Sequence, residues 1–125
     1  MATSDVRSAE KLKRILDELK QEFLNIYGTR LESLILYGSY ARGDAGLGSD
    51  IDVLVVLAGS VDAGDEIRRT GEMVAGLSLK YDVTISRFFV SAKQFDENWS
   101  LLRNVRREGI VLYDAGAVSI IEEGH

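Results

Sequence analysis

Asp50 and Asp52 stand two residues apart in Ser49-Asp50-Ile51-Asp52, at the head of the apolar run Ile51 to Leu57. Residues two apart in a strand share a face, so both carboxylates project together while Ile51 and Val53 point the other way. Aspartate is disfavoured in strands, and two carboxylates roughly 5 Å apart repel by about 3 kcal/mol at an effective dielectric of roughly 20. Magnesium would offset that cost, because it takes hard oxygen ligands, usually one or two carboxylates with water and substrate phosphates. A third acid, Asp82, is expected as the second residue of a strand from Tyr81 to Val90, where a neighbouring strand could carry it to the same face. Three acids around one cleft could hold two cations about 3.5 to 4 Å apart, the arrangement used for in-line phosphoryl displacement. Asp82 would then serve the metal nearer the nucleophile and could accept its proton. The competing reading is that Asp50 caps a turn, Asp52 faces solvent on an edge strand and Asp82 only begins a strand. Val53 to Leu57 is apolar on both faces, which favours a central, covered strand over a solvated edge.

Upstream, Gly38-Ser39 follows the short run Leu34-Ile35-Leu36-Tyr37. A glycine there lets the backbone turn closely around a ligand, and a short run of N–H groups can cradle phosphate, with the Ser39 hydroxyl as one more donor. Two better-known phosphate loops fail on inspection. Gly38 and Gly43 have P-loop spacing, but Asp44-Ala45 stands where Lys-Ser/Thr is required. Gly46-Leu47-Gly48 reaches Ile51 without a third glycine, so the dinucleotide fingerprint is absent.

The elements that must position these residues read as α-β-β-α-β-α-β, a single α/β unit. Leu12, Ile15, Leu16, Leu19, Phe23 and Ile26 recur at helical spacing, predicting an amphipathic helix over about residues 5 to 27 with Gly28 as its stop. Strands follow at Leu34 to Tyr37 and Ile51 to Leu57. Asp62 and Asp65 can cap a helix running to about Leu79, although Gly71 and Gly76 weaken it. After the strand from Tyr81, Ser91 and Gln94 form a capping box for a helix with Phe95, Trp99 and Leu102 on one side and Arg103, Arg106 and Arg107 at its basic end, before Gly109. Ile110 to Tyr113 is a last short strand.

A chain of 125 residues supports one core, so one domain over residues 1–125 is expected. With 46% hydrophobic and 28% charged residues it is neither disordered nor fibrous. A net charge of -5 lacks the basic surplus of a general nucleic-acid binder. Without cysteine there are neither disulfides nor thiolate zinc sites. The sole histidine, His125, ends the chain and could be a tag remnant at 123–125, so a histidine-based triad or zinc site is implausible. No apolar run approaches the roughly 20 residues that span a bilayer, and no leader pattern opens the chain, so a cytoplasmic location is expected.

Taken together, Gly38-Ser39, Ala41-Arg42-Gly43, Ser49-Asp50-Ile51-Asp52 and the closing Arg107-Glu108-Gly109-Ile110-Val111-Leu112-Tyr113 resemble the minimal nucleotidyltransferases of the DNA polymerase beta superfamily. The resemblance runs from about residue 31 to residue 113. It implies a mixed sheet with helices packed on one face, and a nucleoside triphosphate, ATP or another, held by Gly38 and Ser39. It further implies two magnesium ions on Asp50, Asp52 and Asp82, and transfer of a nucleotide to an acceptor with release of pyrophosphate. Arg42 and Lys80 are the cations expected to meet the triphosphate. Ser49, at the turn before Asp50, joins them as a candidate nucleotide-binding residue; Tyr40, Asp44 and Arg87 are read as surface or packing residues. Larger members carry a further acceptor-binding domain, whereas only a dozen residues follow Tyr113 here. Small stand-alone members resemble antitoxins that work beside a helical HEPN-family partner, some transferring AMP to a tyrosine of it. Such a partner is therefore expected. The alternatives are a binding module that neutralises its partner by occlusion, and a subunit of an enzyme modifying small molecules such as aminoglycosides. Apolar residues on several helices leave room for a homodimer or a hetero-oligomer.

Overall fold

The computed structural model describes residues 9–97 and 100–116. Trp99 and His125 lie outside them. The elements are α1 (Ala9–Tyr27), β1 (Leu31–Tyr37), α2 (Ser39–Arg42), β2 (Ile51–Leu57), α3 (Ala63–Tyr81), β3 (Ile85–Ser91), α4 (Ala92–Asp96), α5 (Ser100–Glu108) and β4 (Ile110–Asp114), with a short 3-10 turn between α1 and β1. They form the mixed α/β architecture expected, with one four-stranded sheet in the order β3-β2-β1-β4. β1 runs antiparallel to both β2 and β4, whereas β2 and β3 are parallel. The strand carrying Asp52 is therefore interior, as the apolar run Val53 to Leu57 requires.

Period-two alternation along β2 sorts its side chains onto two faces. Ile51, Val53, Val55 and Leu57 join one core with Leu34 and Leu36 of β1 and with α1 and α3; Leu54 and Val56 join a second core with Ile35 of β1 and Leu102 and Val105 of α5. α1 contributes Ile15, Leu19, Phe23 and Tyr27 at four-residue spacing, all buried. Burial of such a side chain is worth about 1.5 to 3 kcal/mol. The two long helices thus share one face, as the resemblance implies. The opposite face is also covered: the single helix expected after Ser91 is two pieces, α4 and α5, and both pack there. The capping box that opens α4 is present, with Gln94 N–H donating to the Ser91 hydroxyl at 3.0 Å and Ser91 N–H donating to the Gln94 side-chain oxygen at 2.9 Å.

α3 begins as expected, the Asp62 carboxylate accepting from the Asp65 N–H at 3.0 Å, but it continues through Tyr81. Asp82 is therefore its C-cap and not a strand residue, with φ 55° and ψ 53°. It is the sole non-glycine of positive φ among the described residues. Aspartate tolerates that left-handed conformation better than most residues.

Candidate active site

β1 ends at Tyr37, and the chain turns at Gly38 into the single helical turn of α2. Gly38 has φ 78° and ψ -157°, and its carbonyl accepts from Ala41 and Arg42, each at 3.1 Å. A Cβ added there would lie 2.4 Å from Oδ2 of Asp52. The glycine is thus required twice, for its backbone conformation and because the Asp52 carboxylate occupies the space a side chain would fill. The first N–H groups of a helix have no intrahelical acceptor, so the segment after Gly38 presents donors where an anion would lie. Gly43, with φ 82°, closes α2, its N–H donating to the Ser39 carbonyl at 3.0 Å.

Asp52 pairs with Tyr37 across β1 and β2 and shares the face of Leu54 and Val56. Burial, and then the neighbouring Asp50 carboxylate, push the Asp52 carboxyl above its ordinary value, while the Arg42 guanidinium pulls it partly back. The Tyr37 phenol is likewise raised, by burial and by Asp52. Two crowded carboxylates beside a close-approach glycine suit one magnesium ion, whose remaining ligands would be water and phosphate. Between Gly38 and α5 lies a cavity of 230 Å³ lined by Tyr37, Gly38, Arg42, Asn104, Val105 and Glu108.

Other expected site residues lie elsewhere. In the parallel pairing of β2 and β3, Asp52 faces Ser86. Asp82 precedes Ser86 by four residues, about 13 Å along an extended chain, so even a longer β3 would not have set it beside Asp52. Among the described residues, no group of three or more His, Cys, Asp or Glu side chains converges where a metal could sit. Among the described residues, Asp50 and Asp52 therefore suit one ion and lack the third carboxylate of the two-ion arrangement. The Lys80 ammonium donates to Glu18 of α1 at 3.0 and 3.2 Å, on the side of the sheet away from Asp52, and Tyr81 donates to the same carboxylate. The Ser49 hydroxyl accepts from the Gly46 N–H at 2.9 Å and so closes the turn before Asp50. Arg42 does border the site, its guanidinium donating to Asp44 at 3.3 Å. Asn104 and Glu108 were not legible as cavity residues; Glu108 lies within the closing Arg107-Glu108-Gly109, and Asn104 stands three residues before Arg107.

Gly38→Ala and Gly43→Ala separate the two demands on this loop. Both glycines have positive φ, but only at Gly38 would a Cβ strike anything within 4 Å. Gly43→Ala should cost about 1 kcal/mol in urea denaturation, and Gly38→Ala about 2 to 3 kcal/mol with loss of nucleotide binding. Equal costs would contradict the packing against Asp52.

The nucleotidyltransferase domain family model matches residues 12–112. A relative from Methanocaldococcus jannaschii named “Putative protein adenylyltransferase” is 41% identical over 104 residues, covering 82% of this chain and 94% of the relative. The crystal structure of “a putative nucleotidyltransferase from Sulfolobus solfataricus” has a TM-score of 0.61 at 20% identity, covering 88% of this chain and 89% of that one. A chain in the crystal structure of a toxin–antitoxin with AMP-PNP has a TM-score of 0.56 at 20% identity, covering 85% of this chain and 78% of that one. Sequence match, relative and common fold agree with the loop and carboxylate geometry, and the chain belongs to the nucleotidyltransferase domain family.

Proposed function

We propose that this chain moves AMP from ATP to a hydroxyl of a protein acceptor in the cytoplasm, the acceptor being a helical HEPN-family partner that the transfer neutralises. The acceptor oxygen bonds to the α-phosphorus, the bond from that phosphorus to the bridging oxygen breaks, pyrophosphate departs and the hydroxyl proton passes to solvent water. The observation that carries the reading is the lodging of the Asp52 carboxylate against Gly38, which joins the phosphate loop and the carboxylate pair into one site. Asp50 and Asp52 would hold magnesium, which when bound supplies charge neutralisation for the phosphates. Gly38 and Ser39 would hold phosphate oxygens through backbone N–H groups, and Arg42 would add a charge-assisted donor. The protein-adenylyltransferase name of the M. jannaschii relative supports the type of acceptor. The fold shared with a toxin–antitoxin chain supports the kind of partner.

Incubation of the chain with radiolabelled ATP, magnesium and a co-encoded HEPN protein should label that protein, in a manner abolished by Asp52→Ala. Absence of label, or label indifferent to Asp52→Ala, would refute the proposal.

A further inference from the structure

The closing Arg107-Glu108-Gly109 has a structural consequence that the carboxylate site does not use. A Cβ at Gly109 would lie 2.5 Å from the Val105 carbonyl oxygen, 2.6 Å from Ile35 Cγ2 and 3.2 Å from the Leu36 carbonyl oxygen. Only glycine lets the end of α5 approach β1 this closely. That approach brings Asn104 and Glu108 to the wall of the 230 Å³ cavity whose other wall is Gly38 and Arg42. The Arg107 guanidinium donates to the Asn104 amide oxygen at 2.8 Å and lies 3.5 Å from the Glu108 carboxylate. With its oxygen engaged, the Asn104 amide has its NH2 as the end left to donate. Arg42 can only donate, and the Tyr37 phenol can donate as well. Glu108 is the sole acid of the lining, and Arg107 offsets its charge.

We propose that this cavity is the subsite for the pyrophosphate end of the nucleoside triphosphate, with Asn104 binding it from α5 and Arg107 acting as a positioning residue for Asn104. The inference rests on the nucleotidyl-transfer reading and assigns the leaving group's place within it. It makes α5, and not only the Gly38 loop, part of the triphosphate cradle. Glu108 sets a limit on the anion's charge there, so that its neutralisation should favour binding.

The test is calorimetric titration of the full chain with inorganic pyrophosphate and, separately, with AMP, each with magnesium. Asn104 is exposed on α5, so Asn104→Ala and the isosteric Asn104→Asp should both fold, as melting curves will check. Asn104→Ala should weaken pyrophosphate about tenfold and Asn104→Asp more, since each removes a hydrogen bond to a charged group, with AMP affinity unchanged. Arg107→Ala should weaken pyrophosphate less, and Glu108→Gln should bind it as well as or better than the parent. In transfer assays the Asn104 variants should raise the KM for ATP. Wild-type pyrophosphate affinity in folded Asn104→Asp, or equal loss of AMP and pyrophosphate, overturns the subsite while leaving nucleotidyl transfer standing. A parent chain that binds neither ATP nor pyrophosphate overturns both. A fall in kcat for Glu108→Gln with unchanged pyrophosphate affinity would instead make Glu108 a proton acceptor and overturn this assignment.

Discussion

Replacing Asp50 and Asp52 together by asparagine is expected to lower nucleotidyl transfer by about a thousandfold or more, while making the ligand-free protein more resistant to heat. The loss follows from removing the charges that would hold magnesium. The gain follows from the position of Asp52, where burial and the Asp50 carboxylate raise the carboxyl above its ordinary value. A carboxyl with a raised value binds its proton more readily in the folded state than in the unfolded one. Ionising it therefore costs stability, and the cost grows as pH rises through the folded-state value. The variant should melt higher than the parent at neutral pH, and the gap should shrink as pH falls toward about 4, where the unfolded carboxyl also takes up its proton. A variant that melts lower at neutral pH would contradict the repulsion, and one that retains transfer would remove these carboxylates from the chemistry. The same variant distinguishes catalysis from occlusion: if it still binds and neutralises the partner, the chain works as a binding module.

The second large effect is expected far from the site. Glu66, at the start of α3, is only 3% exposed, and its carboxylate accepts from Tyr27 at 2.6 Å, Arg69 at 3.1 Å and Arg30 at 3.2 Å. Arg30 also donates to the Ala58 and Ser60 carbonyls at 3.1 and 2.6 Å, and Arg87 donates to the Thr70 hydroxyl at 2.6 Å. The bonds of Tyr27 and Arg30 tie α1 to α3 where β2 ends, the opposite end of that strand from Asp52, while Arg87, level with Val53, ties β3 to α3. Glu66→Ala would leave Tyr27 without its acceptor and Arg30 and Arg69 without their counter-charge. It should cost about 3 to 5 kcal/mol in urea denaturation, a large share of the roughly 5 to 15 kcal/mol that holds a domain together. Nucleotide affinity should be unchanged at temperatures where the variant stays folded. Burial raises the Glu66 carboxyl, but the hydrogen bonds from Tyr27, Arg69 and Arg30 outweigh it and the net shift is downward. A carboxyl lowered by folding stabilises above its unfolded value, about 4.3, and loses that contribution as pH falls. Glu66→Gln should therefore flatten the acid side of the stability profile. An unaltered profile would show that the ion pairs contribute little.

Arg87 illustrates why such a network escapes a reading of residue types. In sequence it is one charge within a β-rich run. In the fold its Nε meets Thr70 and its guanidinium also donates to the Ile67 carbonyl at 3.0 Å, joining β3 to α3. Nothing local predicts a pairing between residues seventeen positions apart.

What the sequence determined by itself lies within short reach along the chain. The two-residue spacing set the Asp50 carboxylate near enough to repel that of Asp52, although β2 begins only at Ile51 and Asp50 precedes it, while Gly38 marked the turn after β1, Gly28 the end of α1, and Ser91 with Gln94 the start of α4. Each depends on backbone period or on hydrogen bonds spanning three or four residues. Strand register and helix length were decided only in the folded molecule. α3 ran two residues past its expected end, which made Asp82 a C-cap, and the β2–β3 register set Ser86 beside Asp52. Both outcomes follow from burying Ile51, Val53, Val55, Ile85 and Phe89 under α1 and α3, a packing that no single segment encodes. The same long-range packing turned Lys80 toward Glu18 and brought Asn104 to the cavity through the contact Gly109 allows. The carboxylate pair and its loop are local features of the chain, whereas the third acid, the second cation and the far wall of the cavity depended on which distant elements came to rest against them.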